Sequence, residues 1–328
     1  MEVSSLHIPV LYGELIESLH FFAPGKNIIV DGTLGLGGHA SGVIQKLTKG
    51  DVFIGLDCDT ENLARATSRL LETLNEQPQD KQPTVYCIHS NFRDLDEVLK
   101  NIWNYESITW LTGLTWLTWL TWLTAVYADL GVSSVHFDTP ERGFSFRFDG
   151  PLDMRLDMTQ WVTAADLVNT LPYDKMAEIF RVYGDDPRAG FIAKKVIEAR
   201  DVKPFETTKE LATVVTKAWK DSVTRIFQAL RIAVNDEYGV LEHLLASAHD
   251  LLVPEGSISI IAFHSGEDRI VKHFFKKKSE AIIDDITGQD IASGTLKVLT
   301  KKPITPTEKE IELNPRARSA LLRVAEKR

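Results

Sequence analysis

Three carboxylates each close a short apolar run. Asp31 follows Asn27-Ile28-Ile29-Val30, Asp57 follows Val52-Phe53-Ile54-Gly55-Leu56, and Asp129 follows Ala125-Val126-Tyr127-Ala128. A glycine-rich stretch, Gly35-Leu36-Gly37-Gly38-His39-Ala40, comes just after the first. It fits G-x-G-x-x-G/A, a spacing shared by nicotinamide, flavin and S-adenosylmethionine sites. There the glycines let a nucleotide-like ligand approach backbone N–H groups beside a helix start. An acid in the place of Asp57 can accept both hydroxyls of a ribose, or can simply close a strand-end turn. His39 is a ligand contact or a surface residue at a helix start. Phe92 is a core residue or a face on which an adenine stacks. Asp129-Leu130-Gly131-Val132-Ser133-Ser134 brings a carboxylate and two hydroxyls together. Acceptors of this kind orient an amine, and the same residue types also make ordinary capped turns.

These residues need elements that carry them to one place. Val43, Ile44 and Leu47 fall at helical spacing after the glycines. Leu63, Ala66, Leu70, Leu71 and Leu74 mark an amphipathic helix after Asp57, with Asp59 or Thr60 as its cap. Val85 to Ile88 reads as a strand, and Leu95, Val98 and Leu99 as another helix. Strands alternating with helices imply a parallel, doubly wound α/β sheet, whose ligands bind beyond the carboxyl ends of its strands. Asp31, Asp57, Phe92 and Asp129 all stand at such ends. From Phe137 to Arg225 the alternation gives way to turns and helices, with Thr207 and Glu210 at capping-box spacing. The sheet pattern resumes with an apolar stripe from Leu241 to Leu252, a turn at Pro254-Glu255-Gly256 and a strand from Ser257 to Phe263. Leu296 to Leu299 and Ala320 to Val324 complete the sheet as a hairpin-like pair. The organisation is therefore a core in two parts, 1–136 and 226–328, around an inserted helical domain, 137–225.

The 46 acidic residues outnumber the 37 lysines and arginines, for a net charge of −9. A polyanionic partner would thus need a local basic patch. Lys272, Lys276, Lys277 and Lys278 form one run, and Lys301, Lys302, Arg316, Arg318 and Arg323 enrich the C-terminal stretch. Two cysteines, Cys58 and Cys87, make neither a disulfide framework nor a zinc spacing, and no metal is expected. Met1 to Glu14 does not read as a signal peptide, and no apolar run reaches the ~18 residues of a membrane span. The expectation is a cytoplasmic chain with no membrane partner. Thr109 to Thr124 repeats Thr-Trp-Leu with a period of three, which keeps no single face apolar. It reads as a low-complexity expansion in a loop before the fourth strand; the other reading is an aromatic surface for stacking bases.

Several longer motifs carry a resemblance. Asp31-Gly-Thr-Leu-Gly-Leu-Gly-Gly-His39, Asp129-Leu-Gly-Val-Ser-Ser134, Glu141-Arg-Gly-Phe-Ser-Phe146 and Asp149-Gly-Pro-Leu-Asp-Met-Arg155 resemble the RsmH (MraW) family. So do Phe227-Gln-Ala-Leu-Arg-Ile-Ala-Val-Asn-Asp-Glu237, Phe263-His-Ser-Gly-Glu-Asp-Arg-Ile-Val-Lys272 and Asn314-Pro-Arg-Ala-Arg-Ser319. The resemblance runs from His7 nearly to the C-terminus. It implies a class I S-adenosylmethionine-dependent methyltransferase, with a Rossmann-like sheet and an inserted all-helical domain for substrate recognition. The implied reaction is methylation of the exocyclic N4 of a cytidine in small-subunit (16S) ribosomal RNA. The implied partner is that RNA or the assembled small subunit. Carried over by position, it implies cofactor contacts at Gly37, Gly38, His39, Asp57, Phe92, Asp129 and His136. Asp129, with Ser133 or Ser134 in support, is expected to orient the target amine. The chain departs from the family pattern at His136, usually Gln, at Gly266, usually Leu, and in the Thr-Trp-Leu repeat.

Two other functions use the same features. A nicotinamide-dependent oxidoreductase would share the glycine turn, and the helical insert after the fourth strand counts against it. A non-catalytic RNA-binding or ribosome assembly protein would keep the fold without the activity.

Overall fold

The structure is a computed structural model and describes residues 9–106, 123–283 and 290–328. His7 and residues 109–122 of the Thr-Trp-Leu repeat lie outside the described residues. In chain order the elements are α1 (Tyr12–Ser18), β1 (Ile28–Asp31), α2 (Gly38–Ile44), β2 (Val52–Asp57), α3 (Thr60–Asn75), β3 (Thr84–His89), α4 (Leu95–Glu106) and β4 (Leu123–Asp129). The helices α5 (Ser134–Asp138), α6 (Ala164–Thr170), α7 (Tyr173–Val182), α8 (Ala189–Arg200), α9 (Thr208–Trp219), α10 (Val223–Asn235) and α11 (Glu237–Leu251) follow. The chain ends with β5 (Leu252–Ala262), α12 (Ser265–Ser279), the short strands β6 (Ile282–Ile283) and β7 (Asp290–Ala292), β8 (Leu296–Val298), α13 (Glu308–Leu313) and β9 (Leu321–Lys327). Two compact units result: residues up to Gly131 together with Gly239–Arg328, and Val132–Tyr238.

The first unit is a seven-stranded sheet in the order β3-β2-β1-β4-β5-β9-β8. Its first five strands are parallel, β9 is antiparallel to β5, and β8 is antiparallel to β9. This is a Rossmann-like, doubly wound sheet, with the hairpin-like pair at its end. Strand side chains alternate between faces, and here both faces are covered, so the central strands are apolar throughout. Val30, Ile54 and Val126 pack on one face with Leu95, Leu244 and Phe275. Ile29, Phe53 and Tyr127 pack on the other with Leu15, Ile44 and Leu70. Each large side chain so buried contributes roughly 1.5–3 kcal/mol.

The repeat meets β4 at a fixed point. The Thr124 hydroxyl accepts from the Ile28 N–H and donates to the Ile28 carbonyl, both at 3.1 Å. From Ala125 onward β4 is in register with β1, and Asp129 reaches the strand end opposite Ile261 of β5. Pro254-Glu255-Gly256 does not form a turn ahead of a strand, as expected; it lies inside β5, which begins at Leu252. The register shifts between Leu123↔Leu252 and Ala125↔Ser257, so β5 bulges there. Glu255 takes φ 68°, and a Cβ on Gly256 would stand 2.9 Å from the Val253 carbonyl oxygen. The bulge absorbs the extra residues without moving Asp129.

The second unit packs α6 to α10 around Phe180, Ile192, Val196, Leu211, Phe227 and Leu230. Residues 137–225 lie within it. The apolar face of α10, with Ile226, Phe227 and Leu230, belongs to the same core, so this unit runs on to Tyr238. Thr207 and Glu210 form the capping box that their spacing suggests. The glycine- and charge-rich loop before α6 is held by polar side chains. Arg155 forks onto both oxygens of Asp153 at 2.8 and 2.7 Å, and Arg142 donates to the Arg155 and Leu156 carbonyls. Asn235 of α10 accepts from the Leu156 N–H and donates to the Met154 carbonyl, both at 2.8 Å. Met154 needs this hold, because it takes φ 66° without being glycine.

Asn235→Ala leaves buried backbone groups of Met154 and Leu156 without partners. The expected loss is about 2–3 kcal/mol of stability, with faster amide exchange at Leu156. Wild-type unfolding curves and Leu156 protection in the variant would count against this account of the loop.

Candidate functional site

β1 pairs with β2 on one side and β4 on the other, so the strand order reverses between β1 and β4. Ligands of doubly wound sheets bind in the crevice at this point. The turn after β1 uses its own donors. Gly32 N–H bonds to the Tyr127 carbonyl at 2.8 Å and Thr33 N–H to Asp31 Oδ1 at 2.9 Å. Leu34 N–H bonds to the Leu56 carbonyl at 2.8 Å, Gly35 N–H to Asp57 Oδ2 at 2.7 Å, and Gly37 N–H to the Leu34 carbonyl at 2.8 Å. Five N–H groups of the turn, those of Gly32, Thr33, Leu34, Gly35 and Gly37, are thus engaged within the protein. Packing also requires its glycines. Gly37 takes φ 73°, and a Cβ there would stand 3.3 Å from Ala66; a Cβ on Gly38 would stand 2.5 Å from Pro9.

The strand-end carboxylates are the main electrostatic feature. Asp57 accepts from Gly35 and, at 2.8 Å, from the Asp59 N–H. Burial still pushes its carboxyl up to about 6, with the neighbouring Asp59 charge adding to the shift. Asp31 is buried and raised to about 7, chiefly by desolvation, with the charge of Asp57 adding to it against the Thr33 N–H bond. Asp129 N–H donates to the Thr33 hydroxyl at 2.6 Å, which ties the end of β4 to the turn after β1. The Asp129 carboxyl is raised well above the usual range by desolvation, then by the charges of Asp31 and Glu267. Its side chain keeps 21% of its surface exposed, while Oδ1 is buried with no hydrogen-bond partner among the described residues. Glu267 of α12 is buried; it accepts from the Phe263 N–H at 2.8 Å and lies 3.2 Å from His264 Nε2.

His39 is not a surface residue. Its Nε2 lies 2.9 Å from the Val10 carbonyl, its Nδ1 3.6 Å from Asp129 Oδ2, and its ring stacks on Tyr12. Phe92 is half-buried beside Gly32, whose Cβ position would be 3.4 Å from that of Phe92, and packs on the sheet core. His136 and Ser133 belong to the helical unit. The Ser133 N–H donates to His136 Nδ1 at 3.2 Å, and the ring packs on Phe144 with centroids 5.0 Å apart. The side chain of Ser134 lies outside the described residues.

Thr33 and Glu267 are the site residues that composition and spacing did not single out. Both stand inside motifs, Asp31-Gly32-Thr33 and His264-Ser265-Gly266-Glu267, and that position was the available signal. Among the basic residues, Lys272, Lys276, Lys277, Lys301, Lys302, Arg316 and Arg318 are exposed. Arg323 is not part of such a surface: it is buried, with Nε and Nη2 on the two oxygens of Asp268 at 2.6 and 3.0 Å.

Desolvated carboxylates gathered at one strand edge favour a cation over an anion. A dinucleotide would bring its pyrophosphate beside the acids Asp31 and Asp57. A ligand carrying a ribose and a positive centre fits this arrangement.

Comparison with known proteins agrees with that chemistry. A family model described as the MraW methylase family matches residues 4–328. The chain is 39% identical to the ribosomal RNA small subunit methyltransferase H of Clostridioides difficile (strain 630), over 98% of each chain. It is also 39% identical to the protein of that name from Chlorobium chlorochromatii (strain CaD3), over 98% of this chain and 96% of that one. To the corresponding protein of Carboxydothermus hydrogenoformans it is 40% identical, over 98% of this chain and 97% of that one.

Asp31→Asn keeps an acceptor for the Thr33 N–H and removes the ionisation. An acid raised in the folded state holds a proton that the unfolded chain gives up. Its stabilising contribution is complete below about pH 4 and is lost as pH rises through about 7. The melting temperature of D31N relative to the unaltered protein is therefore expected to rise by a few degrees between pH 5 and pH 8. A difference that does not change with pH would show that Asp31 ionises freely.

Proposed function

The chain belongs to the MraW methylase family, and we propose that it methylates the exocyclic N4 of a cytidine in small-subunit (16S) ribosomal RNA. S-adenosylmethionine supplies the methyl group on a sulfonium centre. The observation that carries the reading is Asp129: a carboxyl at the end of β4, tied to β1 through Thr33, with one oxygen unpartnered. The cytosine amine is a weak nucleophile because its lone pair is delocalised into the ring. An acceptor fixed at this point orients the amine and favours charge developing on its nitrogen.

Asp57 is suited to the ribose hydroxyls and Phe92 to the adenine, with Gly37, Gly38, His39, Asp129 and His136 as the remaining cofactor contacts. Ser133 and Ser134, four and five residues after Asp129, support the substrate side. Residues 137–225 recognise the RNA, and the exposed cations of α12 and the C-terminal stretch contribute phosphate contacts. Such binding falls steeply with salt. The target base must leave its stack to reach Asp129, at a cost of a few kcal/mol in a paired helix and less in a loop. The substrate is the RNA itself or the assembled subunit, and a cytoplasmic location accords with either.

Methyl transfer from labelled S-adenosylmethionine to small subunits from a strain lacking the modification tests this. N4-methylcytidine is the expected product, and Asp129→Asn is expected to slow its formation by about 100-fold or more. Cofactor binding without incorporation would favour a non-catalytic assembly role instead. Calorimetry showing affinity for NAD and none for S-adenosylhomocysteine would favour the oxidoreductase.

A further inference from the structure

We propose that His39 is the proton acceptor behind Asp129, so that the two side chains act as a relay for the proton that the target amine sheds; the relay rests on the methyl-transfer reading above. The Val10 carbonyl can only accept a hydrogen bond, so the neutral His39 ring carries its proton on Nε2. Its Nδ1 then faces Asp129 Oδ2 at 3.6 Å. The lone pair and the carboxylate leave a place between them for one proton. His39 is buried, and Tyr12 stacks on its ring, which fixes the orientation of the imidazole.

The other charged groups that act on Asp129 are Asp31 at the end of β1 and Glu267 on α12. Both are acids, and both favour the protonated form of Asp129. The balance is simple. The amine nitrogen forms its bond to the methyl carbon as the carbon–sulfur bond breaks, and the electron pair of that bond stays on sulfur. The nitrogen then carries one proton too many. That proton passes to the Asp129 carboxylate and on to Nδ1 of His39, which leaves an imidazolium against a carboxylate. No further oxidant, reductant or co-reactant is required. Asp129 touches the substrate; His39 acts through it.

His39→Gln retains a donor for the Val10 carbonyl and has no basic nitrogen. At saturating cofactor, kcat on small subunits is expected to fall about 10- to 100-fold, and the pH profile of kcat is expected to differ from that of the unaltered protein. KM for the subunit should stay within about threefold. Spectra of isotope-labelled histidine in the unaltered protein should show the Nε2–H form of the His39 ring, a readout independent of turnover. An unchanged rate and pH profile in H39Q, or an Nδ1–H ring in the unaltered protein, overturns the relay while the methyl-transfer reading stands. A loss confined to cofactor affinity, with the profile at saturation unchanged, makes His39 a binding residue only and also overturns it. If the unaltered protein transfers no methyl group at all, the reading and the relay fall together.

Discussion

The constraint on which the site depends is the desolvation of Asp31, Asp57 and Asp129 at the carboxyl edge of three adjacent strands. A sheet covered on both faces has to be apolar along its strands, so the first polar residues appear where the strands end. Placing carboxyls there takes them out of water while they still border a crevice. The surrounding structure stabilises them with backbone donors: Thr33 for Asp31, and Gly35 and Asp59 for Asp57. These same bonds shape the glycine turn, so the architecture of the cradle and the ionisation of its acids are one problem. A change at any of them alters both.

The helical unit solves a different problem by similar means. Its loop before α6 buries Phe144, Leu152 and Met154 in the helical core, but is rich in glycine, proline and charge between them. Asn235, Arg142 and Arg155 therefore pin its backbone from within the unit. A polar network of this kind favours one loop conformation, whereas an apolar collapse would permit several. Through Asn235, the Phe227 to Glu237 stretch holds the Met154 carbonyl at the end of the Asp149 to Arg155 stretch.

What could be read in advance followed from local order. Asp31, Asp57 and Asp129 were visible because each is the first charge after an apolar run. Thr207 and Glu210 were visible because a capping box lies within four residues. Thr33 was not, since its hydroxyl matters only through Asp129, 96 positions away. Arg323 looked like one more cation in a basic stretch, and only its pairing with Asp268, 55 positions earlier, takes it inside. Pro254-Glu255-Gly256 has the composition of a turn and becomes a bulge because β4 lies alongside it. In each case the missing information was the identity of a partner distant in sequence, which neither periodicity nor propensity carries.

The same electrostatics gives the site a direction. On the proposed reading, the positive charge that offsets the carboxylates lies on sulfur before transfer. Afterwards the carboxylates face a neutral thioether, and the charge has moved to the amine and then to its departing proton. An acid-lined edge stabilises a positive charge on nitrogen or imidazole as well as it does one on sulfur. The charge cluster therefore does not oppose the reaction, as a site built to hold the sulfonium alone would. It does weaken the hold on the spent cofactor, because the carboxylates lose their counter-charge once the proton escapes to solvent. Binding and release thus follow from one arrangement of carboxyls, with the position of a single positive charge deciding between them.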